Sequence, residues 1–229
     1  MKKSLLLTMI CLVTGATLFA QRGFYGRDVR LGFKIDPVFV NTLRPLENGI
    51  EKDGSGFGVN YGLMADIQFS DSRGAFATGL EVQHASSSLL YKDAGKGLYR
   101  DEAVGAEQSY KLKLQYLQIP LSVKLKSNEN NGFRWWGQFG TYMGALIGSR
   151  LDYSYGNTSE ENINAMNKTN KLNMGLLVGA GGEYRLAQKT DLYFGVGFEN
   201  GFTDITKNKD WKDDKVALNR WALRLGVFF

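Results

Sequence analysis

The sequence is poor in the residues that carry most site chemistry. Its 229 residues include one cysteine, Cys11, one histidine, His84, and three prolines. One imidazole and one thiol cannot assemble a zinc-type ligand set, and a lone cysteine forms no disulfide within the chain. No glycine-rich loop leads into a helix as a phosphate cradle would require, because the glycines alternate within extended segments. The longest apolar run, from Leu5 to Phe19, is short for a membrane-spanning helix. It follows Lys2 and Lys3 and ends at Ala20 before Gln21, the pattern of a secretory signal. Cleavage is expected after Ala20, making residues 1–20 a signal peptide and 21–229 a single barrel domain. A lipoprotein signal using Cys11 competes with this, but Cys11 sits mid-run and Met9-Ile10 is a poor small-residue approach. Removing Lys2 and Lys3 leaves 26 basic residues against 23 acidic ones, a balance of +3. That excess is too small and too interspersed to argue for nucleic acid.

What the sequence has in quantity is alternation. From Phe57 to Ser70 every odd position is apolar: Phe57, Val59, Tyr61, Leu63, Ala65, Ile67 and Phe69. The even positions are small or polar apart from Met64. A period of two means an extended strand with one greasy and one polar face. Its length exceeds the usual five or six residues and suits a tilted strand crossing a bilayer. The greasy face would meet lipid and the polar face the inside of a barrel.

The same pattern recurs. Strand one is read from about Asp28 to Val40, with Val29, Leu31, Phe33, Ile35, Pro37 and Phe39 outward. Strand three spans about Ala75 to Tyr91, with Phe76, Thr78, Leu80, Val82 and His84 outward. In strand four, about Ser109 to Lys126, the apolar positions change parity. Tyr110, Leu112 and Leu114 are even, whereas Leu117, Ile119, Leu121, Val123 and Leu125 are odd. A β-bulge near Tyr116, close to Pro120, would restore a single greasy face. Strands five to eight are read from Phe133 to Arg150, and around Leu172–Arg185, Leu192–Glu199 and Arg220–Phe229. Segments Asn41–Gly56, Lys92–Gln108, Leu151–Asn170 and Thr203–Lys215 are long and polar, alternating with short turns at Asp71–Gly74, Ser127–Gly132 and Ala187–Thr190. The expected fold is all-β: an eight-stranded antiparallel up-and-down transmembrane β-barrel with a filled interior, long loops outside and both termini in the periplasm. Tyr91, Tyr110, Trp135, Tyr184 and Trp221 would form its interfacial girdle.

The words Tyr116-Leu117-Gln118-Ile119-Pro120-Leu121 resemble the central motif of the PorT-like outer-membrane β-barrel family of Bacteroidota. Gly79-Leu80-Glu81-Val82 is similar to that family's preceding strand, and Leu18-Phe19-Ala20-Gln21 resembles signal ends common in the phylum. The resemblance implies a place in the cell outer membrane and a porin-family fold. It also implies an association with secretion or envelope assembly, since the founding member is tied to the type IX secretion machinery.

The barrel interior should carry charge. Alternation turns Asp66, Glu81, Glu183 and Glu199 inward with Arg30, Lys34, Lys124, Arg185 and Arg224, and a bore of eight strands is just wide enough for its own side chains. Paired charges holding the barrel shut are weighed against a narrow ion path. On the outer wall, His84 and Ser86 share a face, and His-x-Ser there resembles the site of outer-membrane lipid A deacylases, with Glu107 the nearest candidate to orient the imidazole. The preferred reading has no catalytic, cofactor-binding or metal residues: a monomeric structural, binding or scaffolding protein. Its partners would be outer-membrane lipid and lipopolysaccharide, the barrel-insertion machinery and an unidentified protein. A lipid A-modifying esterase and a soluble lipocalin-like barrel are the alternatives.

Overall fold

The computed structural model describes residues 28–46, 48–69, 73–92, 97–98, 107–155, 158–211 and 215–229. The signal segment and Cys11 lie outside them, as do half of the expected turn at Asp71–Gly74 and most of the expected long segment Lys92–Gln108. In chain order the elements are β1 (Val29–Pro45), β2 (Ile50–Lys52), β3 (Gly56–Gln68), β4 (Gly74–Tyr91), β5 (Gln108–Lys126), β6 (Phe133–Tyr155), β7 (Thr158–Asn164), β8 (Leu172–Ala187), β9 (Thr190–Gly201), a single helical turn α1 (Asn208–Trp211) and β10 (Val216–Phe228).

Eight of the strands close a ring in the order β1-β3-β4-β5-β6-β8-β9-β10, every neighbour antiparallel, with β10 returning to β1. This is the eight-stranded antiparallel barrel that the alternation calls for. The odd face of β3 points out as expected, and Phe57, Tyr61 and Leu63 are exposed, while Asn60, Met64 and Asp66 are buried in the bore. Exposed apolar side chains run right round the ring, from Phe33 and Ile35 on β1 to Leu125 on β5, Phe139 on β6 and Leu223 on β10. Such a wall is stable only against hydrocarbon. At the short-turn end the β5–β6 connection is a tight hairpin. Asn130 and Phe133 exchange both backbone hydrogen bonds, at 2.9 and 3.0 Å, while Asn131 and Gly132 take φ of 51° and 78°. Two consecutive left-handed residues make the turn whose twist matches the flanking strands.

Three expectations are corrected. First, β5 keeps one phase throughout: Tyr110, Leu112, Leu114 and Tyr116 are buried on the same inward face as Gln118, Ser122 and Lys124. The bulge lies on the facing strand, where Gln115 pairs Gly148, Tyr116 pairs Leu146, and Ile147 is the extra residue. The parity change in β5 records a change of surroundings, because above the apolar wall the barrel turns inside out. There its outward residues are Lys111, Lys113, Arg150 and Asp152, and its inward ones form an apolar core around Leu89, Leu112, Leu151 and Trp211. Second, Tyr91 and Tyr110 belong to that core, in contact with each other and with Trp211 at centroid distances of 5.1 to 5.8 Å, whereas Trp135, Tyr184 and Trp221 do face outward. Third, the expected polar loops after strands one and five are partly strand: β1 bulges around Phe39 and runs on to Pro45, and β6 runs on to Tyr155. β2 pairs the upper end of β4, and β7 pairs the upper end of β6, so the wall is continued where β3 and β8 leave it.

Pro120 interrupts a ladder without bulging its strand. β4 and β5 pair at Thr78–Leu121 and at Glu81–Gln118, with the pairing between them missing. Pro37 has a similar effect on β1, and there the N–H of Leu225 on β10 donates to the Asp36 carboxylate at 3.3 Å. A side chain thus takes over a backbone group that would otherwise lie unpaired in the wall.

Candidate functional site

Two features carry chemistry: the charges that fill the lower bore and the polar strip on the outer wall above the apolar belt. The bore is built by alternation, since residues two apart on each strand project into the same space. Nearest the short turns, Asp66 accepts from Lys124 at 2.8 and 2.9 Å and faces Lys126 at 3.1 Å. Beside it Arg30 forks between Glu183 at 2.9 Å and Asp191 at 2.6 Å, and Arg134 reaches Asp191 at 2.9 Å. One layer higher, Lys34 bridges Asp36 at 3.0 Å and Glu81 at 2.6 Å, and Arg224 bridges Asp36 at 2.7 Å and Glu199 at 2.9 Å. Arg220 also donates to Glu199, and its second partner is the Gln118 amide oxygen at 3.0 Å. Every carboxylate of this set has at least one cationic partner, as groups removed from water require.

Aromatic rings line the same space. The Lys124 ammonium lies 4.7 Å from the centre of the Tyr193 ring and 4.8 Å from that of Phe228, and Arg30 sits 4.3 Å from the centre of Phe228. Trp136 lies on a shelf of glycines. A Cβ on Gly181 or Gly195 would fall 2.8 or 2.6 Å from its ring, and its Nε1 donates to the carbonyls of Gly182 and Phe194, both at 3.2 Å. That explains the glycines at Gly179 and Gly181, whereas a Cβ on Gly182 would collide with the rings of Phe133 and Phe194. The void left beside Lys34, Asp66, Glu81 and Arg224 is about 30 Å³, the space of a water molecule.

Of the inward charges read from the sequence, Asp66, Glu81, Glu183, Glu199, Arg30, Lys34, Lys124 and Arg224 come together as described. Arg185 does not: it stands at the rim, partly exposed, held by Glu129 at 2.8 Å and Asp191 at 3.4 Å. β8 ends there, so its side chain reaches solvent. Asp36, Lys126, Arg134, Asp191 and Arg220 complete the plug. They share the inward parity of residues already named, which is the signal that could have found them.

On the outer wall, His84 and Ser86 lie on one face of β4, as expected, but Glu107 is remote. Ser86 pairs Lys113 and Tyr91 pairs Gln108, so Glu107 lies six residues up β5 from Lys113, about 20 Å at roughly 3.3 Å per residue. Both imidazole nitrogens are engaged: Nδ1 is 3.0 Å from the Val59 carbonyl and Nε2 is 2.6 Å from Gln115 Nε2. A tautomer with its hydrogen on Nδ1 donates to the carbonyl and accepts from the amide, which leaves no lone pair aimed at Ser86. Tyr61 stacks on the ring at 5.8 Å. Among the described residues, no three His, Cys, Asp or Glu side chains are grouped to hold a metal ion.

The match to a protein-family model agrees with this architecture. A family model described as outer membrane protein beta-barrel domain matches residues 19–207. Among solved structures the chain is similar to Neisserial surface protein A, with 13% identity over 87% of this chain and 95% of that one, at a TM-score of 0.43. It is similar to the outer membrane protein OprG from Pseudomonas aeruginosa, also at 13% identity, over 87% and 93% of the two chains at a TM-score of 0.43. It is similar as well to Ail, the attachment invasion locus protein of Yersinia pestis, at 13% identity over 88% and 97%, with a TM-score of 0.31. No curated protein matches it. The matched family model covers most of the strand ring, and the ring itself wears a lipid-compatible exterior around a charged interior: the chain belongs to the outer membrane protein β-barrel domain family and resides in the outer membrane.

Proposed function

We propose that this barrel is a sealed, non-enzymatic scaffold that binds a partner through its outer end, in the service of envelope assembly or secretion as its PorT-like words imply. One observation carries the reading. β4, β5 and β6 rise well above the apolar belt, and with β2, β7 and the upper ends of β1 and β10 they enclose a second apolar core. A barrel needs about ten residues per strand to cross the bilayer, whereas β5 has 19 and β6 has 23. The surplus strand builds a packed platform outside the membrane, and packed platforms present binding surfaces in one fixed shape. The paired charges of the lower bore support a closed channel. The bonds on both nitrogens of His84 favour a scaffold over an esterase using His84 and Ser86.

The test is site-specific photo-crosslinking in native outer membranes. A crosslinking residue at Lys111 or Ser154, both outward on the platform, is expected to trap a discrete protein. The same residue at Leu125, on the belt, is expected to trap lipid alone. Lipid alone at all three positions, or hydrolysis of lipid A that depends on Ser86, would overturn the proposal.

A further inference from the structure

The belt ends in a row of donors that runs across four strands. Ser86 on β4 pairs Lys113 on β5, Lys113 pairs Arg150 on β6, and Arg150 pairs Asn164 on β7. One step below, His84 pairs Gln115 and Gln115 pairs Gly148; the next outward residues down are Val82, Leu117 and Ile147. The Ile147 bulge brings Arg150 onto the outer face, and at this level the outer surface holds a cleft of about 690 Å³, lined by His84, Lys113, Gln115, Arg150 and Asn164 among others.

The pairing of Lys113 with Arg150 is the anomaly. Like charges directly opposite on neighbouring strands repel, and a sheet normally avoids them. Asp152 relieves only one of the two, taking Lys113 at 2.6 Å. Among the described residues Arg150 has no carboxylate partner, and its guanidinium is exposed. The β7 carboxylates Glu161 and Glu160 stand three and four residues further along that strand from Asn164, towards its tip. On the opposite side of the barrel, Arg44, the first charged outward residue above the belt on β1, and Lys215, just before β10, are basic and exposed too. This level is where an outer-leaflet headgroup meets the barrel, since the acyl chains lie against the belt just below.

We propose that the Ser86–Lys113–Arg150–Asn164 row, with Gln115 beneath it, is a binding site for the phosphate of an outer-leaflet lipid of the lipid A type. Arg150 grips the phosphate through its planar fork and Lys113, on the next strand, adds charge, while Asn164 and Ser86, about 14 Å apart across three strand spacings, flank the pair on either side. A phosphate with uncancelled charge fits better than phosphatidylcholine, whose own choline already neutralises it. The site is independent of any protein partner on the platform above.

The test measures thermal unfolding of the full barrel by heat-modifiable gel migration. Vesicles of phosphatidylcholine alone are compared with the same vesicles carrying lipid A, carrying dephosphorylated lipid A, or bathed in inorganic phosphate. Lipid A is expected to raise the wild-type midpoint by several degrees, and the other two additions to leave it unchanged. Arg150→Gln should lose this shift, Arg150→Lys should keep part of it, and Lys189→Gln, in the short turn at the far end, should keep all of it. In phosphatidylcholine alone Arg150→Lys and Lys189→Gln should match wild type, and Arg150→Gln should do no worse, because it relieves the repulsion with Lys113; the readout is the shift each variant shows on adding lipid A. The proposal fails if Arg150→Gln keeps the full shift, if dephosphorylated lipid A acts equally well, or if inorganic phosphate alone reproduces it.

Discussion

Glu199 shows how the bore is held at the scale of one residue. Its carboxylate accepts from Arg220, Arg224, Gln83 and Gln118, so it is the point where the charged layer meets the layer of amides above. Glu199→Gln leaves buried Arg220 without a carboxylate among the described residues and Arg224 with Asp36 alone, while keeping the shape. A loss of about 3–5 kcal/mol is expected in urea unfolding from vesicles, the usual cost of leaving a buried ion unpaired. On the other face of the wall the rule reverses. Leu63→Arg puts a cation into hydrocarbon and should cost roughly 2–4 kcal/mol near the midplane. Asp152, above the belt, supplies a pH dependence. Burial alone would raise its pKa, but the backbone N–H of Asn162 and the Lys113 ammonium outweigh that and hold the carboxyl below its ordinary range. A carboxyl lowered on folding stabilises above its unfolded pKa of about 3.9, and the contribution disappears as pH falls through the lower folded value. Hydrogen-exchange protection in residues 150–155 and 158–164, taken relative to the intrinsic rate at each pH, should therefore fall between pH 5 and pH 3, and Asp152→Asn should abolish the change. The group is only half-buried and its lysine partner is partly exposed, so it is worth under about 1 kcal/mol.

At the scale of the element, the Ile147 bulge is the feature with the most consequence. A slip of one residue exchanges the two faces of a strand. Deleting Ile147 would push Arg150 and Asp152 towards the apolar upper core and turn Leu151 and Tyr153 out to solvent. The belt below the bulge should still assemble. The expected outcome is a membrane-resident band whose segment above residue 147 is cut by added protease, where wild type resists. The turn at Asn131-Gly132 offers a milder test: Gly132→Ala, at a φ of 78°, should cost about 1–2 kcal/mol. These elements also mark what was legible in the sequence. The strand ring, its outward face on β3 and the charged filling all follow from a period of two. The bulge did not, because the inward leucines of β5 look like an error of phase to a reader who assumes lipid on the outside along the whole strand. The headgroup-level row was hidden too. Ser86, Lys113, Arg150 and Asn164 are scattered in sequence, and only the cross-strand register aligns them.

For the whole molecule, closure rests on the last strand. Phe228 points inward onto Tyr193 and Arg30, while Phe229 lies outside, 5.9 Å from Phe33, and its N–H donates to the Leu31 carbonyl at 2.9 Å. Deleting both residues should give periplasmic accumulation and no heat-modifiable band. A folded membrane-resident band would show that closure does not depend on them. The Asp36–Arg224 bridge joins positions 188 apart, across the β1–β10 seam. Until that seam forms, Arg224 has only Glu199 to share with Arg220, and Lys34 and Asp36 wait on the far edge of an open sheet. In the open sheet Lys34 still meets Asp36 and Glu81, and both arginines still share Glu199, but the two edges carry opposite uncancelled charge. Such charge facing hydrocarbon costs several kcal/mol, so a sheet added hairpin by hairpin would be penalised until the ends meet. The first strand and the last must therefore enter the bilayer together with the hairpins between them, as one event. Drawn out by a pulling force from either terminus, the molecule should let go in a single rupture, with no resting place at seven strands.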